Sequence, residues 1–211
     1  MPGFNLNPQF LLAVLVTFVV AITVHEFMHA WTAYQLGDDT AYHLGRISLN
    51  PAVHFDPLGA IMFLLIALGF PALAWGKPVP VNTYRLRPLG RFGRTGSMAL
   101  VAFAGPLSNV VLAAAAAFSL RLNDGFPPRT PLEQGLFAFM SINIGLAAFN
   151  MIPVPPLDGG NVLIGLLAAN TARLVEQMRP YGILILYALM LTGVLSTLLG
   201  PVATYLVYLL G

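Results

Sequence analysis

The chain contains no cysteine, which excludes disulfides, thiol catalysis and thiolate metal ligands together. It is also poor in charge: 9% of its 211 residues are Asp, Glu, Lys or Arg, against about a quarter in a soluble domain. Too few charged groups remain to solvate a surface, so a soluble globular fold is excluded. A strong charge imbalance is missing as well. The net charge is +2, and most of the basic residues sit in one loop between apolar segments, which argues against a nucleic-acid partner. The first residues, Met1 to Gln9, carry no basic cluster, so a cleaved signal peptide is not expected. No long polar stretch or internal repeat divides the chain, and residues 1–211 are expected to form a single membrane domain.

What is present is apolar. Hydrophobic residues make up 57% of the chain and the mean hydropathy is +0.78. Long uncharged runs predict an all-α polytopic membrane protein with about 5–6 membrane segments. The first span runs from about Pro8 to Leu36 and ends at Gly37-Asp38-Asp39. Residues 40–57 are turn-rich, and alternation in Arg46-Ile47-Ser48-Leu49 predicts a small strand-like region near the membrane surface. A short apolar segment, 58–74, holds Gly59, Gly69 and Pro71. Residues 76–95 form a loop with Lys77, Arg85, Arg87, Arg91 and Arg94 and no acid. Further spans cover about 97–120 and 132–152, the first with a small-residue run at Ala113–Ala117 that permits close helix approach. A short helix is expected over Asn161–Ala169, and a last apolar stretch over 181–210, broken at Gly200-Pro201.

Orientation follows from the five-cation loop, which belongs in the cytoplasm. The span 97–120 then leads outward and 132–152 returns, so Asn150 and Asp158 lie near the cytoplasmic face of the cell membrane. Both ends of 58–74 would then be cytoplasmic, which makes that segment a candidate re-entrant piece.

Inside the first span stands His25-Glu26-Phe27-Met28-His29. Ionisable groups within a membrane span are costly, so three in five residues require a compensating role. Imidazoles at i and i+4 share a helix face and can reach one metal ion, and Glu26 beside the first is placed to act as general base on a bound water. About 15 apolar residues precede His25, or roughly 22 Å of helix, which puts the motif nearer the span's C-terminal end.

Catalytic zinc commonly has three protein ligands and one open position. With no cysteine, the third ligand must be His, Asp or Glu. Asp158 is the best candidate, because Asp38, Asp39, Asp56, Asp124, Glu133 and Glu176 all read as residues of polar loops. Three prolines before it stop a helix, and Gly159-Gly160 lets backbone approach closely. The alternative for Asp158 is a helix N-cap. Asn150 and Asn143 share a helix face; the amide of Asn150 is the candidate donor to a scissile carbonyl, whereas Asn143 reads as an interhelical contact. Asn109, after Gly105-Pro106, reads as a packing and kink position, and His43 and His54 as interfacial loop residues.

Together these residues resemble the site-2 protease family of intramembrane zinc metalloproteases. The matching elements are His25-Glu26-x-x-His29, Gly105-Pro106 with Asn109, and Asn150-x-x-Pro153 leading to Leu157-Asp158-Gly159-Gly160. The likeness covers roughly residues 10–170 and is nearest to the short prokaryotic members without PDZ or CBS domains. It departs from many members in showing no span ahead of the motif span and in the added segment 58–74. The resemblance implies Zn2+ held by His25, His29 and Asp158, Glu26 as base and Asn150 as a substrate-binding or polarising group. The substrate would be a membrane-spanning protein cut within or next to its helix. The rival is a non-proteolytic metal-binding membrane protein for transport or regulation. Transport needs no base beside a ligand and favours several sites along a path, whereas one cluster is present.

Overall fold

The computed structural model describes residues 8–123 and 125–210, so Asp124 lies outside the described residues. The first span is α1, Pro8–Gln35, a single 28-residue helix. It stops as expected: the chain turns at Gly37 and the Asp38 amide donates back to the Ala33 carbonyl at 2.9 Å.

Residues 40–57 depart from expectation. They hold two short helices, α2 (Thr40–His43) and α3 (Pro51–His54), and no strand occurs among the described residues. The local chemistry explains α3. Asn50 caps it by accepting from the Ala52 amide at 3.0 Å, and Pro51 pre-sets its first turn. Burial does not alternate over 46–49: Arg46 is buried, Ile47 and Ser48 are half-buried and Leu49 is exposed.

Helix α4, Pro57–Ala67, is capped by Asp56. Its 11 residues extend about 16 Å, half of what crossing the hydrocarbon requires. The chain turns at Gly69 and comes back without regular structure through residue 82. Helix α4 and the segment after Gly69 thus run out and back, with the return limb irregular rather than helical.

Helix α5, Gly93–Leu122, is the central element, on which α1, α6, α7 and α10 all pack. Its outward residues Leu100, Phe103, Leu107 and Val111 form one exposed apolar stripe, as do Leu12 and Val16 of α1, which suits contact with lipid. Ala113, Ala116 and Ala117 are buried against Met140 and Ile144 of α6, the close approach expected of the small-residue run. Helix α6, Pro131–Asn150, starts at a capping box: Thr130 accepts from the Glu133 amide and the Glu133 carboxylate accepts from the Thr130 amide. Glu133 therefore belongs to a helix rather than a loop.

Residues 151–157 are unwound, and α7 follows at Asp158–Leu166, starting three residues earlier than expected. Beyond it come α8 (Ala169–Gln177), α9 (Gly182–Leu191) and α10 (Val194–Leu210). Glu176 lies in α8, not in a loop. The final apolar stretch breaks at Gly193, not at Gly200-Pro201. Gly193 takes the left-handed backbone that ends α9, whereas Pro201 is carried inside α10. Four helical stretches, 11–35, 90–122, 131–150 and 169–191, are long and apolar enough to cross a membrane, and α4 and α10 are shorter apolar helices. The protein is an all-helical polytopic membrane protein.

Candidate metal centre

Three side chains from two distant parts of the chain meet beneath α5. The Nε2 atoms of His25 and His29 lie 3.0 Å apart, and Asp158 Oδ2 sits 3.1 Å from the first and 3.3 Å from the second. Helix periodicity aligns the two imidazoles, and the unwound 151–157 segment delivers Asp158 as the first residue of α7. Asp158 makes no side-chain cap bond, so the N-cap alternative does not describe it.

The proton positions make this arrangement informative. Asn109 Nδ2 donates to the Ala21 carbonyl at 3.1 Å and to Asn143 Oδ1 at 2.9 Å, which turns its own Oδ1 towards His25 Nδ1 at 2.7 Å. His25 Nδ1 must therefore be the protonated nitrogen. His29 Nδ1 faces the Val101 carbonyl at 2.7 Å and donates likewise. In the neutral rings both Nε2 atoms then carry bare lone pairs. They point at each other and at Asp158 Oδ2, a buried oxygen without a hydrogen-bond partner. Three electron-rich atoms facing one another repel unless a cation lies among them. Their separations match the edge of about 3.3 Å expected for a tetrahedron with 2.0–2.1 Å metal–ligand bonds. The donor set of two imidazoles and one carboxylate suits zinc.

Gly105 makes room for this group. A Cβ there would lie 2.4 Å from His29 Nε2 and 2.8 Å from His25 Cε1, so no side chain fits against the imidazoles. Asn109, one turn further on the same face, orients His25. In the sequence it reads as a packing position, and its place in the Gly105-Pro106 element of the family resemblance is the signal that points to the site. Asn143 behaves as expected, as an interhelical contact that in turn orients Asn109. Asn109→Ala frees the His25 ring to rotate and should lower metal affinity about 10–100-fold, the usual effect of losing such a partner. Metal titration of the purified variant reads this directly, and unchanged affinity would remove Asn109 from the site.

Glu26 is buried beside the group, and its Oε2 accepts from the Val79 amide at 3.1 Å. That amide belongs to the extended return limb, here called the strap, which crosses the end of α1. Four ties hold it. The Lys77 amide donates to the His54 carbonyl, and buried Arg46 donates to the Lys77 carbonyl. The Asn82 amide donates to Asp38 Oδ2, and the Arg87 amide to the Leu36 carbonyl. Asp38 is fully buried, a structural hub rather than a solvated loop acid. Nothing in the sequence signals the strap's role, because it acts through backbone atoms.

His43 is exposed and pairs with Asp39. His54 is fully buried, contrary to the interfacial expectation, and its Nε2–H donates to the Ser48 carbonyl. Burial, with Arg46 nearby, pushes its imidazole below the ordinary pKa, so it stays neutral. Neither belongs to the group formed by His25, His29 and Asp158.

A cavity of about 570 Å³ opens onto His25, Glu26, His29 and Asp158, and Asn150 lines it as well. Asn150 Nδ2 donates to the Leu146 carbonyl at 3.0 Å, which uses one of its two amide hydrogens and leaves the other.

The chain is similar to known proteins. A model of peptidase family M50 matches residues 127–193, the part that carries Asn150 and Asp158. The "Putative zinc metalloprotease YwhC" of Bacillus subtilis is 35% identical over 195 residues, covering 89% of this chain and 84% of that protein. The "Putative zinc metalloprotease Rip2" of Mycolicibacterium smegmatis is 27% identical over 87% of this chain and 68% of its own length. The "Putative zinc metalloprotease MJ0611" of Methanocaldococcus jannaschii is 35% identical over 74% of this chain and 73% of its own. No solved structure matches the chain. With a relative this similar aligned over most of both chains, and with the motif residues gathered at one centre, the chain belongs to peptidase family M50, the site-2 protease family.

Proposed function

We propose that the protein is a zinc-dependent intramembrane endopeptidase that hydrolyses a peptide bond within or next to a substrate's transmembrane helix. Residues 1–211 would act as one domain, with the active site nearer the cytoplasmic face. The observation that carries the reading is the set of three mutually facing lone-pair atoms on His25, His29 and Asp158, with a buried carboxylate beside them. His25, His29 and Asp158 would hold Zn2+. Bound there, the ion would lower the pKa of a water towards about 7 and polarise the substrate carbonyl.

The chain's own residues supply the remaining steps. Glu26 takes the proton from the attacking water and returns it to the leaving amine. Val79 holds Glu26 Oε2, so Oε1 is the oxygen left to carry the proton. Asn150 donates its second amide hydrogen to the carbonyl oxygen as charge develops there. The strap and α5 wall the cavity with apolar side chains such as Leu73, Val79 and Val101, which restricts water to the reacting end. A helical amide is shielded by its own turn, so the substrate must unwind locally to enter.

The test is cleavage of a panel of single-span proteins in liposomes. Cleavage should stop when a chelator strips the metal and return on adding zinc. Cleavage that survives complete metal removal would overturn the reading. Metal uptake across the bilayer without any cleavage would favour the transport alternative instead.

A further inference from the structure

Among the described residues that line the cavity, Arg179 is an exposed cation at its mouth that the proposed chemistry does not use. Arg179 lies in the turn between α8 and α9, and it lines the same wall as Asn161 and Asp158. Its Nη2 donates to Asn161 Oδ1 at 2.9 Å, and Asn161 stands one turn after Asp158 in α7. This placement is built into the backbone. A Cβ on Gly182 would lie 1.6 Å from the Pro155 carbonyl oxygen, so the start of α9 is pressed against the segment that presents Asp158. Arg179 is three residues from that contact.

Its charge has no internal partner. No carboxylate forms an ion pair with Arg179 among the described residues. A divalent ion at the centre is balanced by Asp158 and Glu26, and Arg46, which faces Glu26 from behind the strap, is a further positive group. The site is therefore net positive, and Arg179 is the excess cation that lines the cavity. A guanidinium with one donor on an amide oxygen keeps further donors in a planar fork, the geometry that takes a carboxylate.

We propose that Arg179 forms a subsite for an acidic side chain of the substrate, an Asp or Glu close to the bond that is cut. This rests on the endopeptidase reading above and names the substrate chemistry that site selects. One helical turn separates Asn161 from Asp158, a rise of about 4.5 Å, and an extended peptide advances about 3.3–3.6 Å per residue. The acid is therefore expected about one to three residues from the scissile bond. A carboxylate is costly in hydrocarbon, and pairing with Arg179 offsets that cost where the substrate enters the cavity.

The test compares wild type, Arg179→Gln and Arg179→Glu on single-span substrates that differ at one position near the cut, as Glu, Gln or Lys. The proteins are reconstituted in zwitterionic and in anionic liposomes. Wild type should cleave the Glu substrate about tenfold better in kcat/KM than the Gln substrate. Arg179→Gln should abolish that preference, and Arg179→Glu should invert it towards Lys. Zinc content and melting temperature establish that each variant is folded. An unchanged Glu-to-Lys ratio in Arg179→Glu overturns the subsite while leaving the protease reading intact. A variant effect that follows liposome charge and not substrate charge assigns Arg179 to lipid phosphate, which also overturns it. If wild type cleaves no member of the panel, the protease reading fails and the subsite falls with it.

Discussion

Glu26→Gln should bind zinc as wild type does and cleave substrate about 10²–10⁴-fold more slowly. That range is what a positioned general base contributes. The substitution removes only proton affinity. The glutamine oxygen can still accept from the Val79 amide, so the strap stays tied, and the proposed ligand atoms of His25, His29 and Asp158 are untouched. Metal analysis of the purified protein and a single-turnover cleavage assay separate the two properties. Retained cleavage would eliminate Glu26 as the base, and lost metal would show that it supports the ligands instead.

Asp158→Ala should lose both zinc and activity. It removes the carboxylate of the proposed ligand set and leaves two neutral imidazoles, whose Nε2 atoms are 3.0 Å apart and no longer bridged by a carboxylate. Affinity should fall by more than the 10–100-fold typical of losing an orienting partner such as Asn109. A stability readout follows by mass action. Zinc at a hundred times its Kd should stabilise wild type by about 2.7 kcal/mol, and this gain should vanish in the variant. A thermal shift with and without zinc measures it. Zinc-dependent stabilisation that persists in Asp158→Ala would move the third ligand elsewhere.

The sequence-based reading and the structure diverge where the determining contacts are long-range or made by backbone. The membrane class, the spans and the His25-Glu26-x-x-His29 face follow from composition and helical period, which are local properties. The grouping of Asp158 with the two histidines was reachable by elimination, since the chain has few acids and no cysteine. Asn109 was not, because an amide in a packed helix looks the same whether it orients a ligand or simply bridges two helices. The strand expected at 46–49 failed for a related reason: the polar–apolar alternation is not matched by alternating burial, and Arg46 turns inward to hold the Lys77 carbonyl. Residues 71–82 carry no periodic signal, yet they deliver the amide that holds Glu26.

By itself the sequence determined that this is a polytopic helical membrane protein with a histidine pair and a glutamate on one buried helix face. Hydrophobic length and the 3.6-residue period are properties of neighbouring residues, and no partner is needed to read them. Only the tertiary structure decided which nitrogen of each imidazole is bare, which glycine clears space for the rings, and which strap amide and arginine border the cavity. Those depend on atoms from α1, α5, α7 and the 76–82 segment meeting in space, at sequence separations of tens of residues.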